Sequence, residues 1–175
     1  LAHLASSSED NLGSHREIEL ANAMKILGVT DHRFLGNYRD SGMMGTAPNE
    51  NPNCFWNADI DQAALKLATI IDEIRPQILI TYDENGGYGH PDHIQANRVA
   101  MRAAELARSN GWDIQKIYWN TIPVSVIEEG IAAIKGTGVD FFGVEKAEDF
   151  PFAAPDELVT TVFNGDEFVE KKMAA

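Results

Sequence analysis

Residues 81–93 read Thr-Tyr-Asp-Glu-Asn-Gly-Gly-Tyr-Gly-His-Pro-Asp-His and directly follow Gln77–Ile80, a short apolar run. The apolar run predicts a buried strand, and the polar, glycine-rich stretch predicts the loop that leaves its carboxyl end. Pro91 is typical of a helix start, which places His90 on the loop and His93 in the first helical turn. Open α/β sheets bind ligands at this edge, so we expect both imidazoles to point into one crevice.

The segments on either side of this loop alternate between helix and strand. Apolar residues recur at helical spacing over Ala64–Ile74, and Pro76 ends that helix before a strand at Ile78–Tyr82. A second helix is predicted from His93 to about Ser109, followed by a strand at Lys116–Thr121. Repeated helix-then-strand order implies parallel strands joined by right-handed crossovers. The sequence therefore predicts an α/β fold, an open parallel sheet with helices on both faces.

Further elements are predicted nearer the two ends of the chain. A capping box at Ser14–Glu17, followed by apolar residues at helical spacing, predicts a helix of about fourteen residues. Short apolar runs predict strands at His32–Leu35 and, at a sheet edge, at Leu158–Phe163. Pro123 is predicted to begin a helix that continues through Ile131. Apolar residues show neither helical nor strand periodicity over residues 36–58, so a loop is predicted there. A structureless loop of that length is usually functional or disordered.

Composition narrows the classes of protein to which the chain can belong. Its 175 residues are 44% hydrophobic and 9% aromatic, enough for the core of one domain. The formal net charge of −13 opposes binding to nucleic-acid phosphates or anionic membranes. No apolar stretch reaches membrane-spanning length, and the first residues are unlike a signal peptide. With a single cysteine, Cys54, an internal disulfide framework is excluded, and we expect a cytoplasmic protein.

The spacing of the two histidines suits a metal site or an acid–base pair. His90-x-x-His93 holds two imidazoles within one turn, where they can share a zinc ion or divide the roles of ligand and acid–base group. Asp92 lies between them, and a carboxylate beside an imidazole can fix its tautomer and raise its basicity. A calcium-binding EF-hand is excluded, because the twelfth position of a loop beginning at Asp83 is Ile94 rather than glutamate. A phosphate-binding loop is excluded by the lack of a Gly-Lys-Ser/Thr ending.

Two motifs together resemble a known family. Gly86–His93, preceded by Thr81-Tyr82-Asp83 and by an upstream Tyr38–Met43 (Tyr-Arg-Asp-Ser-Gly-Met), is similar to the zinc-dependent LmbE-like (PIG-L-like) de-N-acetylases. The resemblance runs from about Asn11 through Thr121. Within the family, the motifs look most like those of deacetylases of mycothiol biosynthesis, which remove acetate from N-acetylglucosaminyl-inositol. The resemblance implies a Rossmann-like sheet, a bound zinc or ferrous ion, and this small amino-sugar inositol as substrate; the oligomeric state stays open.

The resemblance also implies catalytic roles for four residues of the loop and the helix start. His93 would bind the metal. His90 would stabilise the developing oxyanion and protonate the leaving amine, tasks that suit an imidazole. The hydroxyl of Tyr88 would reach the substrate carbonyl, and Asp92 would orient His90 or modulate its basicity. The structural alternatives are a helix-start histidine facing water for His93, a loop histidine that only supports the residues touching the substrate for His90, an exposed tyrosine for Tyr88, and for Asp92 a carboxylate that the helix dipole favours at an N-terminus.

Substrate-binding roles are implied for three residues elsewhere in the chain. Arg16 would contact the inositol, while Asp40 and Met43 would line the sugar pocket. The alternative for Arg16 is a surface ion pair, which is common near a capped helix end. Asp83 and Glu84 are expected to do no more than brace the glycine-rich loop.

The family signature Ala-His-Pro-Asp-Asp-Glu, which supplies two zinc ligands and the catalytic base, does not occur in the sequence. We therefore expect residues 1–155 to be a partial α/β deacetylase domain, incomplete at its N-terminus and inactive by itself, and residues 156–175 to begin a truncated C-terminal segment. Two alternatives to the deacetylase stay open. One is the mycothiol S-conjugate amidase of the same family, whose pattern has proline at the position of Gly89. The other is a non-catalytic sugar-binding or interaction module.

Overall fold

The computed structural model describes residues 12–138, 143–144, 146–150 and 152–175. The described residues divide into two compact units, one within residues 35–160 and the other formed by residues 12–34 and 161–175. Its helices are α1 (Leu12–Leu27), α2 (Ile60–Ile74), α3 (Gly86–Gly89), α4 (Pro91–Ser109), α5 (Val124–Ile134) and α6 (Val169–Ala174), and its strands are β1 (Ile78–Tyr82) and β2 (Lys116–Asn120). The division predicted after residue 155 stays a prediction.

The two strands of the 35–160 unit pair in parallel. Ile78 lies opposite Lys116, and Tyr82 lies opposite Asn120. Because α4 lies between β1 and β2 in the chain, the three elements form a β-α-β crossover in which both strands end at the same edge of the sheet. The predicted α/β class and the parallel order of the strands are confirmed.

The core of this unit lies between α2 and α4 and is built mainly from alanine. Its buried residues are Ala63, Ala64, Ala68, Ile71, Val99, Ala103, Ala104, Ala107 and Ile114. Leu79 and Ile117, paired across the sheet, pack against this cluster. Ile78 and Ile80 alternate with Leu79 and point to the opposite face, where they are 51% and 68% exposed. The helices α2 and α4 therefore cover the face of the sheet that carries Leu79.

The ends of α1 and α2 follow the predicted signals, but α1 already includes Leu12 and so begins before the predicted capping box at Ser14–Glu17. The Asp59 carboxylate accepts the backbone N–H of Gln62 at 2.9 Å and caps α2, which ends where Arg75 turns left-handed (φ 52°) before Pro76. The predicted helices that became α1, α2, α4 and α5 are confirmed. In the unit that contains α1, this helix contacts α6. Within the described ranges, no helix combines the length and the apolar character needed to cross a membrane.

Two predicted strands are wrong. Residues His32–Leu35 do not form a strand. Arg33 instead donates two hydrogen bonds of 2.8 Å each to the Asp31 carboxylate. Leu158–Phe163 has no strand either, because Leu158 ends a 3-10 helix (Asp156–Leu158) and Val162 is exposed. A short apolar run becomes a strand only where a neighbouring strand satisfies its backbone groups, which the local pattern cannot specify.

The segment 36–58 is ordered rather than structureless. It contains two 3-10 helices, Ala47–Glu50 and Phe55–Asn57. A parallel bridge between Arg39 and Cys54 closes its base, where Arg39 N–H donates to Asn53 O and Phe55 N–H donates to Arg39 O, both at 3.0 Å. We name this closed segment the polar loop.

Candidate active site

Four aromatic rings converge beyond the carboxyl end of β1. The His93 ring stacks on Tyr82 with a centroid separation of 4.0 Å and an interplanar angle of 7°. Tyr88 meets His93 edge-on at 5.1 Å, and the His90 and His93 rings lie 4.9 Å apart. The two histidines therefore share one cleft at the sheet edge, as their spacing predicted.

Asp83 braces the loop that carries these rings. Its Oδ1 accepts the backbone N–H groups of Asn85 and Gly87 at 3.1 and 2.9 Å. Its Oδ2 accepts the hydroxyl of Thr121, which follows β2, at 3.4 Å. One carboxylate thus folds the turn after β1 and ties it to the end of the neighbouring strand, which confirms the bracing role expected of Asp83.

Two glycines at positive φ bring the loop close to its neighbours. At Gly86 (φ +66°) a Cβ would lie 2.7 Å from the backbone nitrogen of Ile94, and at Gly89 (φ +84°) it would lie 2.7 Å from the ring of Phe152. Any side chain at these positions would be strained and would collide. Proline, whose φ is fixed near about −65°, cannot take the backbone conformation found at position 89.

Hydrogen bonds place the proton on a different ring nitrogen in each histidine. His93 Nδ1 lies 3.1 Å from the carbonyl oxygen of Gly86, which can only accept, so Nδ1 donates and Nε2 keeps its lone pair. His90 Nδ1 accepts the backbone N–H of Asp92 at 3.2 Å, so the neutral ring carries its proton on Nε2. One imidazole therefore offers a lone pair at Nε2 and the other an N–H donor.

The carboxylate of Asp92 binds the polar loop. Its Oδ2 accepts the backbone N–H of Ser41 at 3.0 Å, and its Oδ1 accepts the hydroxyl of the same serine. Asp92, the second residue of α4, contacts His90 through its backbone N–H, which donates to Nδ1, while both carboxylate oxygens accept hydrogen bonds from Ser41. The role of Asp92 in orienting His90 stays a prediction.

A group of three residues in the described part of the chain could hold a metal ion. Asp40, His90 and Asp92 offer ligand atoms that lie within 4.8 Å of one another. Carboxylate oxygen and imidazole nitrogen are donors that zinc and ferrous iron accept. The predicted ligand, His93, is not in this group, although its ring adjoins that of His90. In the group itself, His90 Nδ1 and both Asp92 oxygens accept hydrogen bonds, whereas among the described residues none donates to Nε2 of His93, whose lone pair the bond from Nδ1 to Gly86 leaves available.

A cavity of about 290 Å³ adjoins Asp92. It is lined by Leu35, Gly36, Tyr38, Arg39, Asp40, Phe55 and Asp92. The rings of Tyr38 and Phe55 pack at 5.2 Å. Aromatic surface beside carboxylates suits a sugar, which presents both apolar C–H groups and hydroxyl donors.

Two predicted substrate contacts lie outside the cavity lining. Arg16 belongs to the unit that contains α1, where its Nη1 is 2.6 Å from Glu19 Oε2. Hydrogen bonding by this guanidinium lowers the pKa of the exposed Glu19 carboxyl. Met43 lies in the polar loop with nearly half of its surface exposed. Substrate binding by Arg16 and Met43 stays a prediction.

Three residues that shape the site were given no role from the sequence: Ser41, which lies inside the Tyr38–Met43 motif, and Gln95 and Asn97, which lie outside both motifs. Ser41 is fully buried. On α4, Asn97 Nδ2 donates to the carbonyl of Tyr82 at 2.8 Å and Gln95 Nε2 donates to the carbonyl of Ala58 at 3.0 Å. The available signal was the position of two amide side chains on the inner, otherwise apolar side of a helix, where a buried polar group needs a partner.

Comparison with known proteins gives a consistent result. Residues 2–104 match the family model described as PIG-L, GlcNAc-PI de-N-acetylase. A protein of Catenulispora acidiphila named 1D-myo-inositol 2-acetamido-2-deoxy-alpha-D-glucopyranoside deacetylase 1 is 56% identical over 98% of this chain and 57% of its own length. Similarly named deacetylases of Streptomyces scabiei and Geodermatophilus obscurus are 51% and 48% identical over 100% and 98% of this chain, and over 59% and 63% of their own lengths. The chain thus spans about three-fifths of the length of these relatives.

Proposed function

The chain belongs to the PIG-L family of GlcNAc-PI de-N-acetylases, and from this premise we propose that the protein hydrolyses the acetamide of an N-acetylglucosaminyl-inositol. The proposal rests on two imidazoles in one cleft, beside a cavity whose lining includes Asp40 and Asp92. Nε2 offers a lone pair in His93 and an N–H donor in His90. The names of the relatives supply the substrate class. Amide hydrolysis needs a polarised carbonyl and a proton for the leaving amine. His93 would serve the first need by binding a metal ion, and His90 would serve the second as a proton donor.

The donor set of the cleft fits a divalent metal ion, zinc or ferrous iron. His93 would bind it through Nε2, because the hydrogen bond between Nδ1 and Gly86 O fixes the tautomer and the ring orientation that metal-ligating histidines need. A bound metal ion of this kind supplies Lewis acidity to a carbonyl oxygen and lowers the pKa of water.

The other residues of the cleft act on the substrate through hydrogen bonds and proton transfer. The Nε2–H of His90 would donate a hydrogen bond to the oxygen on which negative charge develops. A His90 ring that has taken up a further proton would pass it to the amine nitrogen as the C–N bond breaks, which returns the ring to its neutral form. The Tyr88 side chain is 45% exposed beside both histidines, where its hydroxyl can approach the same oxygen. Asp40 accepts a sugar hydroxyl at the cavity wall.

Acetate release from N-acetylglucosaminyl-inositol tests this proposal on the longer protein of which the sequence predicts these residues to be a part, with amide cleavage of a mycothiol S-conjugate measured in parallel. We expect a higher kcat/KM on the acetylated substrate, and the backbone of Gly89, which excludes the proline of the amidase pattern, supports that order. A higher kcat/KM on the conjugate would assign the amidase activity. Binding of the amino sugar without turnover of either substrate would assign a non-catalytic sugar-binding module. Cytoplasmic location and the lack of nucleic-acid or membrane partners remain predictions from composition.

A further inference from the structure

Ser41 is the one residue of the Asp40–Met43 run that is fully buried, with 0% of its surface exposed. Its neighbours Asp40 and Met43 are exposed. Burying a hydroxyl and a backbone amide costs free energy unless both are hydrogen-bonded, so a buried serine in an exposed polar loop needs partners.

Both hydrogen-bond donors of Ser41 go to one carboxylate. Its backbone N–H donates to Asp92 Oδ2 at 3.0 Å, and its hydroxyl donates to Asp92 Oδ1. The hydroxyl oxygen also accepts the backbone N–H of Trp56 at 2.9 Å, which leaves its own hydrogen to point at Asp92. Asn49 Nδ2 donates a hydrogen bond to the carbonyl oxygen of Ser41. We name the two-pronged contact between Ser41 and Asp92 the serine clamp.

The serine clamp is connected to the cleft through Asp92, at the start of α4, which contacts both Ser41 and His90. A carboxylate held at both oxygens fixes the Asp92 side chain, and the Asp92 backbone N–H donates to His90 Nδ1 at 3.2 Å. That bond keeps the proton of neutral His90 on Nε2. A displacement of the Asp92 backbone would weaken this bond, which is the contact that favours the Nε2–H tautomer of His90.

We propose that Ser41 is a positioning residue, which acts through Asp92 to hold His90 as an Nε2–H donor; this role rests on the proposed function. Ser41 is not itself one of the residues that line the cavity, and its side chain contacts the site through Asp92. Residues that orient a metal-ligating histidine typically contribute about 10- to 100-fold to metal affinity or activity, and we expect the same range for a residue that orients His90.

The matched control is a second serine clamp in the same unit. Ser125, at the start of α5, donates its backbone N–H to Asp156 Oδ2 at 3.1 Å and its hydroxyl to Asp156 Oδ1. Neither residue belongs to the ring cluster or the cavity lining. Ser125→Ala removes the same type of hydrogen bond at a helix start without touching Asp92.

Kinetics of the same longer protein and its variants test the role. Ser41→Ala should lower kcat about 10- to 100-fold. It should change KM by less than about threefold, because the Ser41 backbone N–H still holds the loop. In an Asp92→Ala background the same substitution should lower kcat by less than about threefold, since the carboxylate on which it acts is gone. Ser125→Ala should leave both constants unchanged. Wild-type kcat in Ser41→Ala, or an equal loss in both backgrounds, overturns the proposal.

A second readout does not depend on activity. In the wild-type protein the ¹⁵N shifts of the His90 ring, assigned by comparison with His90→Gln, should report an Nε2–H tautomer. Ser41→Ala and, independently, Asp92→Ala should mix in the Nδ1–H tautomer, whereas Ser125→Ala should not. An unchanged tautomer in both site variants overturns the clamp. Absence of acetate release by the wild-type protein contradicts the proposed function alone, and the tautomer comparison still decides the role of Ser41.

Discussion

The backbone carbonyl of Gly86 and the backbone N–H of Asp92 place the ring proton on different nitrogens in His93 and His90. The carbonyl can only accept and the amide can only donate, so Nδ1 of His93 is protonated while Nδ1 of His90 is not. The remaining nitrogens therefore differ: Nε2 of His93 can bind a metal, and Nε2 of His90 can donate a proton or a hydrogen bond. The division follows from backbone groups, which explains why side-chain identity alone left it open.

This division predicts different losses in the two alanine variants. His93→Ala should lose the metal ion and with it the activity. His90→Ala should retain the metal but lose about 10²- to 10⁴-fold in kcat, the usual contribution of a general acid–base group. Metal analysis beside steady-state kinetics measures both, and His15→Ala, on α1, is the unaffected control. Equal loss of metal in the two histidine variants would contradict the division.

At the scale of elements, hydrophobic periodicity predicted the helices and strands whose local pattern agrees with their packing in the core. The α2 and α4 helices and both strands carry apolar positions that face one common core, so their existence could be predicted. The strand predicted at His32–Leu35 fails because pairing depends on a partner that no local pattern reveals. The polar loop also escaped prediction, since its order depends on Ser41 meeting Asp92, 51 positions away in sequence.

The turn formed by α3 should be intolerant of a side chain at its first residue. Gly86→Ala places a methyl group at a φ that costs an L-residue about 1–2 kcal/mol. It also drives Cβ to 2.7 Å from Ile94 N and 2.8 Å from His93 Cβ, and overpacking of this kind costs about 1–3 kcal/mol more. Gly111→Ala is the matched control, because its φ is also positive (+96°) but nothing lies within 4 Å of the added Cβ.

Urea denaturation of the two glycine variants separates strain from collision. Gly86→Ala should lose more unfolding free energy than Gly111→Ala, and only Gly86→Ala should also lose activity, because the methyl group displaces His93. Equal losses of stability with full activity in both variants would show that the turn can relax around a side chain.

At the scale of the whole molecule, the cleft links metal binding to stability. The histidine and carboxylates that surround it come from the loop after β1, from α4 and from the polar loop, segments that only the folded chain brings together. An ion that binds the folded state and not the unfolded chain raises the free energy of unfolding by mass action. The size of that increase depends on whether the ligand set remains intact, so a stability measurement can identify the ligands without any assay of turnover.

Zinc at about 100 times its dissociation constant should stabilise the protein by about 2.7 kcal/mol, which corresponds to about 5–10 °C in Tm for a chain of this size. His93→Ala should abolish this increase because it removes the Nε2 lone pair, even though loss of the stack on Tyr82 also lowers the metal-free Tm. Asp40→Asn should keep most of the increase, and His15→Ala all of it. Thermal denaturation with zinc and with a chelator gives the difference for each variant. If Asp40→Asn loses the increase and His93→Ala keeps it, the metal belongs to the Asp40, His90 and Asp92 group, and His93 serves only to pack the cleft.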